Sequence, residues 1–386
     1  MKYLMLLLFV SSFLFFACSS ETNQEKSQKL GISTAKITIL DSIQIPLDSS
    51  IINDYNFDLF CENILLGIDS QDQIYGFDLT SKKIWKFSKK GTAPGEYLLP
   101  VGISILNKDS VFVLDRQLYK LTLYDLKGKT INTWSIHKLD TENEPAVFYT
   151  FSNVFKDKNE LHLEYTARSK KYEMADPHYY KNTKLLSIVN LQNSKTKYAI
   201  PYETTSPYLG DKYLLSPFDP YIAYNKNYYA VVLPHDPYIY IYDKQKKLVR
   251  TITDIPYKFP PKPEGVSFRD KDKNFSRDYV KFNIKKNALN KGLVFCTKEP
   301  KLMLRQYVLP ITTDIPDDMN YWRVNYHKQN HFLQAVTTEG KVIEEAIELP
   351  DILGKIVYAE SLQKIYFLPN SKKYEKNIIY ICKVQN

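Results

Sequence analysis

Residues 101–136 read VGISILNKDSVFVLDRQLYKLTLYDLKGKTINTWSI. Apolar and polar residues alternate with a period of two, and the runs are broken by Asn, Asp and a Lys127-Gly128 turn. Such a stretch cannot form an amphipathic helix, whose apolar positions recur every three to four residues. It reads as four antiparallel strands, VGISIL, SVFVLD, KLTLYD and TINTWSI. The same phrase recurs along the chain. Its variants include ENILLGID, QIYGFDL and KIWKFS over 62–88, and YYAVVLP, YIYIYDKQKK and LVRTITDI over 228–255. KLTLYDLKGK and YIYIYDKQKK match closely: alternation, an aspartate, then a basic turn.

Units fall near 60–90, 100–138, 148–202, 220–256, 278–350 and 352–384. Four-stranded units with no protection for their own edges point to radial closure, hence an all-β propeller. KITILDSIQIPL at 36–47 is a strand without a unit. The final unit lacks an outer strand, so the N-terminal strand is expected to complete it. That gives six blades, with seven as the alternative if the long fifth unit is two. The only helical candidates are 168–176 and 345–354, both short.

The first seventeen residues stand apart from this pattern. Lys2 precedes an apolar run from Tyr3 to Phe16, and Ala17 precedes Cys18. The run is too short for a spanning helix and reads as a secretory signal peptide. FFACSS resembles a bacterial lipobox, with Phe15 in place of the usual leucine. The resemblance implies cleavage before Cys18 and acylation of its thiol and amine. More than one acyl chain suffices for stable anchoring. SSETNQEKSQKLG then reads as a tether, giving a signal peptide over 1–17, a lipidated tether over 18–31 and one propeller over 32–386. The expected location is the outer membrane of a cell envelope, with the periplasmic or surface face left open.

The chain carries a formal charge of +9, spread in pairs such as Lys82-Lys83 and Lys285-Lys286. It has no recognition helix or finger spacing, so nucleic acid is not an expected partner. The lysines read as a solvated surface and as edge protection. Of the four cysteines, Cys61, Cys296 and Cys382 lie in apolar segments. Buried thiols are the simpler reading, although ring closure would bring Cys61 and Cys382 near enough to pair.

KGTAPGEYLLP at 90–100 has the look of a ligand loop, but it lacks the Gly-Lys-Ser/Thr ending of a phosphate cradle. Pro94 and Gly95 fit the centre of a type II turn. Glu96 can take backbone or lysine hydrogen bonds, and Tyr97 can cover the gap between blades. The segment, with the strands that follow, resembles a group of six-bladed β-propeller lipoproteins of Bacteroides-like bacteria. These are related to NHL-like and TolB-like propellers and carry a Gly-x-Gly-Pro-Gly-Glu-Tyr motif after the first blade. Gly91, Pro94, Gly95, Glu96 and Tyr97 match that motif, with Ala93 replacing the middle glycine. The resemblance implies the fold and an envelope location but no chemistry.

Candidate binding residues lie in the long excursions 202–220, 256–279 and 310–321. They are Tyr208, Tyr213, Phe218, Tyr221, Tyr257 and Phe268, with Arg116 and the pair His235-Asp236 at strand ends. Aromatic faces with Asp and Arg nearby suit a sugar or peptide, and equally serve to glue loops to a ring. DKDKNFSRD at 270–278 starts like a calcium loop. Phe275 stands at its glycine position and Lys281 at its final glutamate position, so no metal is expected. No cofactor is expected either. The leading reading is a lipid-anchored, non-enzymatic module for a glycan, peptide or envelope protein. The alternative is a glycosidase or lyase using two carboxylates among Asp115, Glu164, Asp219, Asp236 and Glu264 at one mouth of the ring.

Overall fold

The computed structural model describes residues 33–45, 58–60, 64–68, 72–87, 90–107, 110–115, 117–118, 120–135, 154–167, 171–172, 176–193, 195–214, 220–268, 277–312, 329–370 and 378–385. Cys18, Cys61, Arg116, Phe218, Asp219 and the calcium-like segment 270–276 lie outside these residues.

Strand β1 (Lys36–Gln44) is set aside by the sequence order and closes the ring, as described below. Blade I holds β2 (Asp58–Phe60), β3 (Ile64–Ile68), β4 (Ile74–Asp78) and β5 (Ile84–Lys86). Blade II holds β6 (Pro100–Asn107), β7 (Ser110–Asp115), β8 (Lys120–Asp125) and β9 (Thr130–Ser135). Blade III holds β10 (Val154–Asp157), β11 (Glu160–Ala167), β12 (Lys184–Asn190) and β13 (Thr196–Pro201). After β14 (Lys212–Tyr213), blade IV holds β15 (Tyr221–Tyr224), β16 (Tyr228–Val232), β17 (Ile239–Asp243) and β18 (Leu248–Ile252). After β19 (Val266–Ser267), blade V holds β20 (Leu289–Phe295), β21 (Leu302–Val308), β22 (His331–Thr337) and β23 (Val342–Glu348). Blade VI holds β24 (Leu353–Ser361), β25 (Lys364–Pro369) and β26 (Ile378–Gln385), and β1 is its outermost strand. The fold is a six-bladed propeller of four-stranded antiparallel blades.

The fifth unit is therefore one elaborated blade, not two. The helical expectation for 345–354 fails. Glu345, Ala346 and Leu349 favour a helix, but the segment is the end of β23, a Pro350 turn and the start of β24. Pairing with β22 overrides propensity here. The helical expectation for 168–176 lies mostly outside the described residues. The described α-helices are Tyr179–Asn182 and Arg277–Lys286, neither of them foreseen. No described helix is long and apolar enough to cross a membrane.

Apolar layers between neighbouring blades hold the ring. Leu66 and Ile105 pack between blades I and II, and Phe112 and Leu161 between II and III. Ile188 and Tyr229 join III to IV, and Ile241 and Met303 join IV to V. Leu304 and Phe367 join V to VI, and Ile43 and Phe77 join VI to I. Each fully buried side chain of this kind contributes about 1.5–3 kcal/mol. Closure comes from β1, which pairs with β26 from Lys36↔Gln385 to Gln44↔Ile378, skipping Leu40. Cys296 and Cys382 are free and buried in the layer between blades V and VI, and burial pushes both thiols up to about 12.

Because every blade is antiparallel, its loops divide by face. Links from first to second and from third to fourth strand open on one face, and these are short. The remaining links open on the other face and include every long excursion. The short links repeat one device. Asp78, Asp125, Asn190 and Asp243 each end a third strand, and each side-chain oxygen accepts a backbone N–H two to four residues on. The Thr337 hydroxyl does the same in blade V. In each turn the backbone N–H of that polar residue donates to a lysine carbonyl, of Lys83, Lys129, Lys195, Lys247 or Lys341. Four of these turns need a left-handed residue, at Lys82 (φ 59°), Gly128 (81°), Lys246 (65°) and Gly340 (87°). The fourth strand then bulges, leaving Ile131, Val249 and Ile343 without register partners on blades II, IV and V. These three residues, with Ile39 and Leu40 on β1, are the exposed large hydrophobics among the described residues. Bulges on outer strands spoil the edge for pairing with another chain.

Two outcomes follow from this architecture. Lys82→Gly relieves a left-handed lysine and is expected to stabilise the fold by about 1 kcal/mol, whereas Gly340→Val is expected to destabilise it by about 1–2 kcal/mol; urea denaturation reads both. Deleting residues 33–45 bares the β26 edge. The variant is expected to melt at lower temperature and to self-associate, which sedimentation would detect.

Candidate functional site

The described parts of the excursions 202–220 and 256–279 meet over blades III to V, on the face opposite the tight turns. The loop joining β16 to β17, Leu233–Tyr238, is their hub. Asp236 is fully buried, and its Oδ2 accepts hydrogen bonds from the Ser206 hydroxyl (2.7 Å) and the Tyr240 hydroxyl (2.9 Å). Its Oδ1 accepts from the Tyr238 N–H at 2.9 Å. Burial pushes this carboxyl up to about 6, against the pull of those donors and of the Arg305 charge.

Arg305 projects from β21 and is fully buried, without a direct carboxylate contact among the described residues. Its Nε donates to Asn290 Oδ1 (2.7 Å), Nη1 to the Pro237 carbonyl (2.7 Å) and Nη2 to the Asp236 carbonyl (3.0 Å). The guanidinium lies 4.9 Å from the Phe259 ring centroid, a cation–π contact strengthened by desolvation. Burial lowers its pKa to about 10, so the group stays charged at neutral pH.

His235 Nδ1 lies 2.8 Å from the Ala288 carbonyl, which fixes the proton on that nitrogen. Nε2 is left to accept from Asn283 Nδ2 at 2.9 Å. Asn283 and Asn287 extend the network through the helix Arg277–Lys286 to the backbone of Glu264. His235 and Asp236 thus serve the linkers in different ways, one tying the helix side and the other the Ser206 side. The linkers also pair directly, as β14 with β19 through Lys212↔Ser267 and Tyr213↔Val266.

Around the hub lies an aromatic layer. Tyr180 packs edge-on to Tyr179 (5.2 Å between centroids), Tyr202 (5.1 Å) and Tyr208 (5.1 Å). The Tyr180 hydroxyl donates to the Leu214 carbonyl at 3.0 Å. Tyr179, Tyr180 and Tyr208 are buried in the core cluster of blades III and IV, and Tyr172, Tyr202, Tyr238, Phe268 and Phe282 are half-buried rings packed against that cluster. Of the residues singled out from sequence, the structure brings Tyr208 and Phe268 into this layer. Tyr221 sits half-buried between blades IV and V. Tyr257 belongs with Phe259, Tyr307 and Phe332 on the other side of the hub.

Arg305, Asn283, Asn287 and Asn290 are absent from the sequence reading, as are Tyr172, Tyr180, Tyr238 and Phe282. Arg305 carried a signal: it is the single charge in LMLRQYV, a strand buried at every position. HYYKN at 178–182 was a second, a tyrosine pair outside any alternating run.

Gly91, Pro94, Gly95, Glu96 and Tyr97 lie between blades I and II. Glu96 N–H donates to the Ala93 carbonyl (2.9 Å), and Gly95 has φ 83°, the geometry of a type II turn. Glu96 Oε2 accepts from the Ala93 N–H at 3.0 Å, and Lys120 donates to the Glu96 carbonyl. The fully buried Tyr97 hydroxyl accepts from Ile74 N–H (3.0 Å) in blade I, while Tyr124 of blade II donates to the Gly95 carbonyl (3.1 Å). Asp115 caps the same junction, taking the N–H groups of Leu98 and Leu118. Glu264 is exposed, 3.9 Å from Lys286. Among the described residues, no group of three or more His, Cys, Asp or Glu could hold a metal ion.

No family model matches the chain, and no curated protein does. Among solved structures, the chain is similar to a member of the DUF4221 family from Bacteroides vulgatus, with a TM-score of 0.67 and 12% identity over 91% of this chain and 99% of that one. It is also similar to a putative exported protein from Bacteroides fragilis, with a TM-score of 0.51 and 11% identity over 92% and 98% of the two chains. At such identity the likeness is one of fold.

Arg305→Met leaves three buried acceptors, Asn290 Oδ1 and the Pro237 and Asp236 carbonyls, without their donor; it is expected to lower stability by about 3 kcal/mol. Asp236 titrates higher in the folded chain than in the unfolded one. Its contribution is complete below about pH 4 and is lost as pH rises through 6. Asp236→Asn removes that dependence. The stability gap between wild type and variant is expected to narrow by about 2 kcal/mol from pH 4 to 7, since each tenfold change in proton affinity is worth ~1.4 kcal/mol. Denaturation at each pH reads the gap.

Proposed function

We propose that the chain is a lipid-anchored propeller of the cell envelope that binds a glycan through its excursion-bearing face, without catalysing a reaction on it. The observation that carries this reading is the aromatic layer. Five half-buried rings, Tyr172, Tyr202, Tyr238, Phe268 and Phe282, rest on a buried tyrosine bed. Rings held this way lose little freedom when a ligand stacks on them, and their flat apolar faces match those of a pyranose. The hub beneath fixes the linkers that carry them.

Binding is favoured over hydrolysis by how the carboxylates are used. Asp115 and Asp236 each spend both oxygens on hydrogen bonds within the scaffold. A glycosidase needs two carboxyl groups open to one pocket. The anchoring half of the reading rests on Cys18 in FFACSS and on the likeness to an exported protein of Bacteroides fragilis.

A glycan array probed with the full chain in detergent tests the first half. Binding is expected to weaken at least tenfold in Tyr202→Ala and Phe268→Ala with melting temperatures close to wild type. An array with no signal above background overturns the reading. Metabolic labelling with radioactive palmitate tests the second half, with label expected on wild type and lost in Cys18→Ala.

A further inference from the structure

The tight-turn face carries a lysine at the same place in every blade. In blades I to V the carbonyls of Lys83, Lys129, Lys195, Lys247 and Lys341 accept the hydrogen bond that closes the turn, and each of these residues directly precedes a fourth strand. The bond uses only the backbone carbonyl, so the turn itself does not call for lysine. Blade VI has no such turn, because its fourth strand is β1, and the first residue of β1 is Lys36. Ile39 pairs with Cys382, and Cys382 with Ile365, beside the Ser361↔Lys364 turn. β1 therefore starts from the tight-turn face, as the other fourth strands do. All six lysines are exposed.

Other lysines on this face are matched by acids. Glu160 holds Lys197 (2.6 Å) and Lys246 (3.8 Å), Glu339 holds Lys301 (2.8 Å), and Glu360 holds Lys298 (2.5 Å) and Lys364 (2.6 Å). The carboxylates of Asp78, Asp125 and Asp243 accept turn N–H groups. The six equivalent lysines stand outside these pairs. Aliphatic side chains accompany them. Ile131, Val249 and Ile343 are exposed, and each follows one of the six by two residues. A single exposed aliphatic residue needs no partner, but three at one register of three blades describe a surface.

Geometry decides between a small anion and a plane. A fourth strand lies three ladder steps, about 14 Å, outside the innermost strand. On a six-fold ring, neighbours are as far apart as the radius, so adjacent lysines stand at least about 14 Å apart. No small anion reaches two of them, whereas a flat anionic surface meets all six. Lysines interleaved with aliphatic side chains suit a surface of anionic headgroups over apolar chains. The chain also enters the fold at this end of β1. The Ser33 N–H donates to the Ala346 carbonyl (3.3 Å) and its hydroxyl to Glu344 (2.8 Å). Cys18 lies about 15 residues upstream, a reach of roughly 50 Å at full extension.

We propose that the tight-turn face is the membrane-facing side of the ring, its six equivalent lysines resting on anionic phospholipid headgroups and its excursion-bearing face turned away toward the ligand. This goes beyond the glycan reading and rests on its anchored half, which brings the face to a bilayer. Each lysine held at such a surface strengthens the contact by about fivefold, and salt screens it.

The test is lysine footprinting. The full chain is diluted from detergent onto preformed vesicles, either phosphatidylcholine alone or an equal mixture with phosphatidylglycerol. The bound fraction is floated, acetylated briefly with a membrane-impermeant succinimidyl ester and mapped by mass spectrometry. On anionic vesicles the six lysines are expected to react about tenfold more slowly than on neutral ones, with protection lost at high salt. Lys258 and Lys262, exposed on the opposite face, are expected to react alike on both. The variant Lys129→Gln/Lys247→Gln/Lys341→Gln changes exposed side chains only and should fold as wild type. In it Lys36, Lys83 and Lys195 are expected to return to the neutral-vesicle rate. Equal rates on the two vesicles in the floated wild type overturn the inference and leave the anchor standing. Protection with flotation on anionic vesicles alone supports the inference while the anchor falls. A chain that floats with neither vesicle overturns both. Protection by soluble dextran sulfate but not by anionic vesicles assigns the face to a polyanion and overturns the membrane partner.

Discussion

The guanidinium of Arg305 is the point on which the decorated half of the ring depends. A propeller supplies rigid blades at little conformational expense, because each sheet buries both faces against its neighbours. Long linkers enjoy no such support, and their backbone groups must find partners one by one. Arg305 meets this need from inside blade V by capping two consecutive carbonyls of the Leu233–Tyr238 loop and one side-chain amide. Asp236 then reaches outward to Ser206 and Tyr240. One charge in one strand thereby orders chain segments that arrive from blades III, IV and V.

The division of labour between the two faces follows from the same economy. On one face, five hairpins use the same side-chain-to-backbone turn, four of them with a left-handed residue. The opposite face is where chain length accumulates and where aromatic residues concentrate. Strand alternation alone sets which links go where, so the segregation needs no further instruction.

That also explains what could be read from sequence. Alternation is a local signal with a period of two, and it survives in every blade, so unit limits such as 100–138 and 220–256 lie within a few residues of the strands observed. KLTLYDLKGK and YIYIYDKQKK correspond because both are a third strand and the turn that leads to the fourth. The odd strand at 36–47 was legible because the last unit had a vacancy for it. The helix Arg277–Lys286 was hidden because its apolar residues, Tyr279, Val280, Phe282 and Ile284, follow a stretch whose charges suggested a solvated loop. The hub was hidden for a different reason. Its bonds join residues dozens of positions apart, and His235 needs Ala288 and Asn283 to show what it does. A His-Asp dipeptide looks the same in sequence whether it faces a substrate or a carbonyl.

The pairing of Lys36 with Gln385 joins the first and last of the described strands. Synthesis makes β1 before any blade exists, and its partner β26 emerges last. Until then β1 has no ladder, and the layer between blades VI and I lacks Ile43, Ile379 and their neighbours. Contacts this distant are formed late, since loop closure must be met before they repay it. The ring therefore cannot complete itself from either terminus while the chain is still growing. Closure waits until β26 has been made, after every other strand of the six blades.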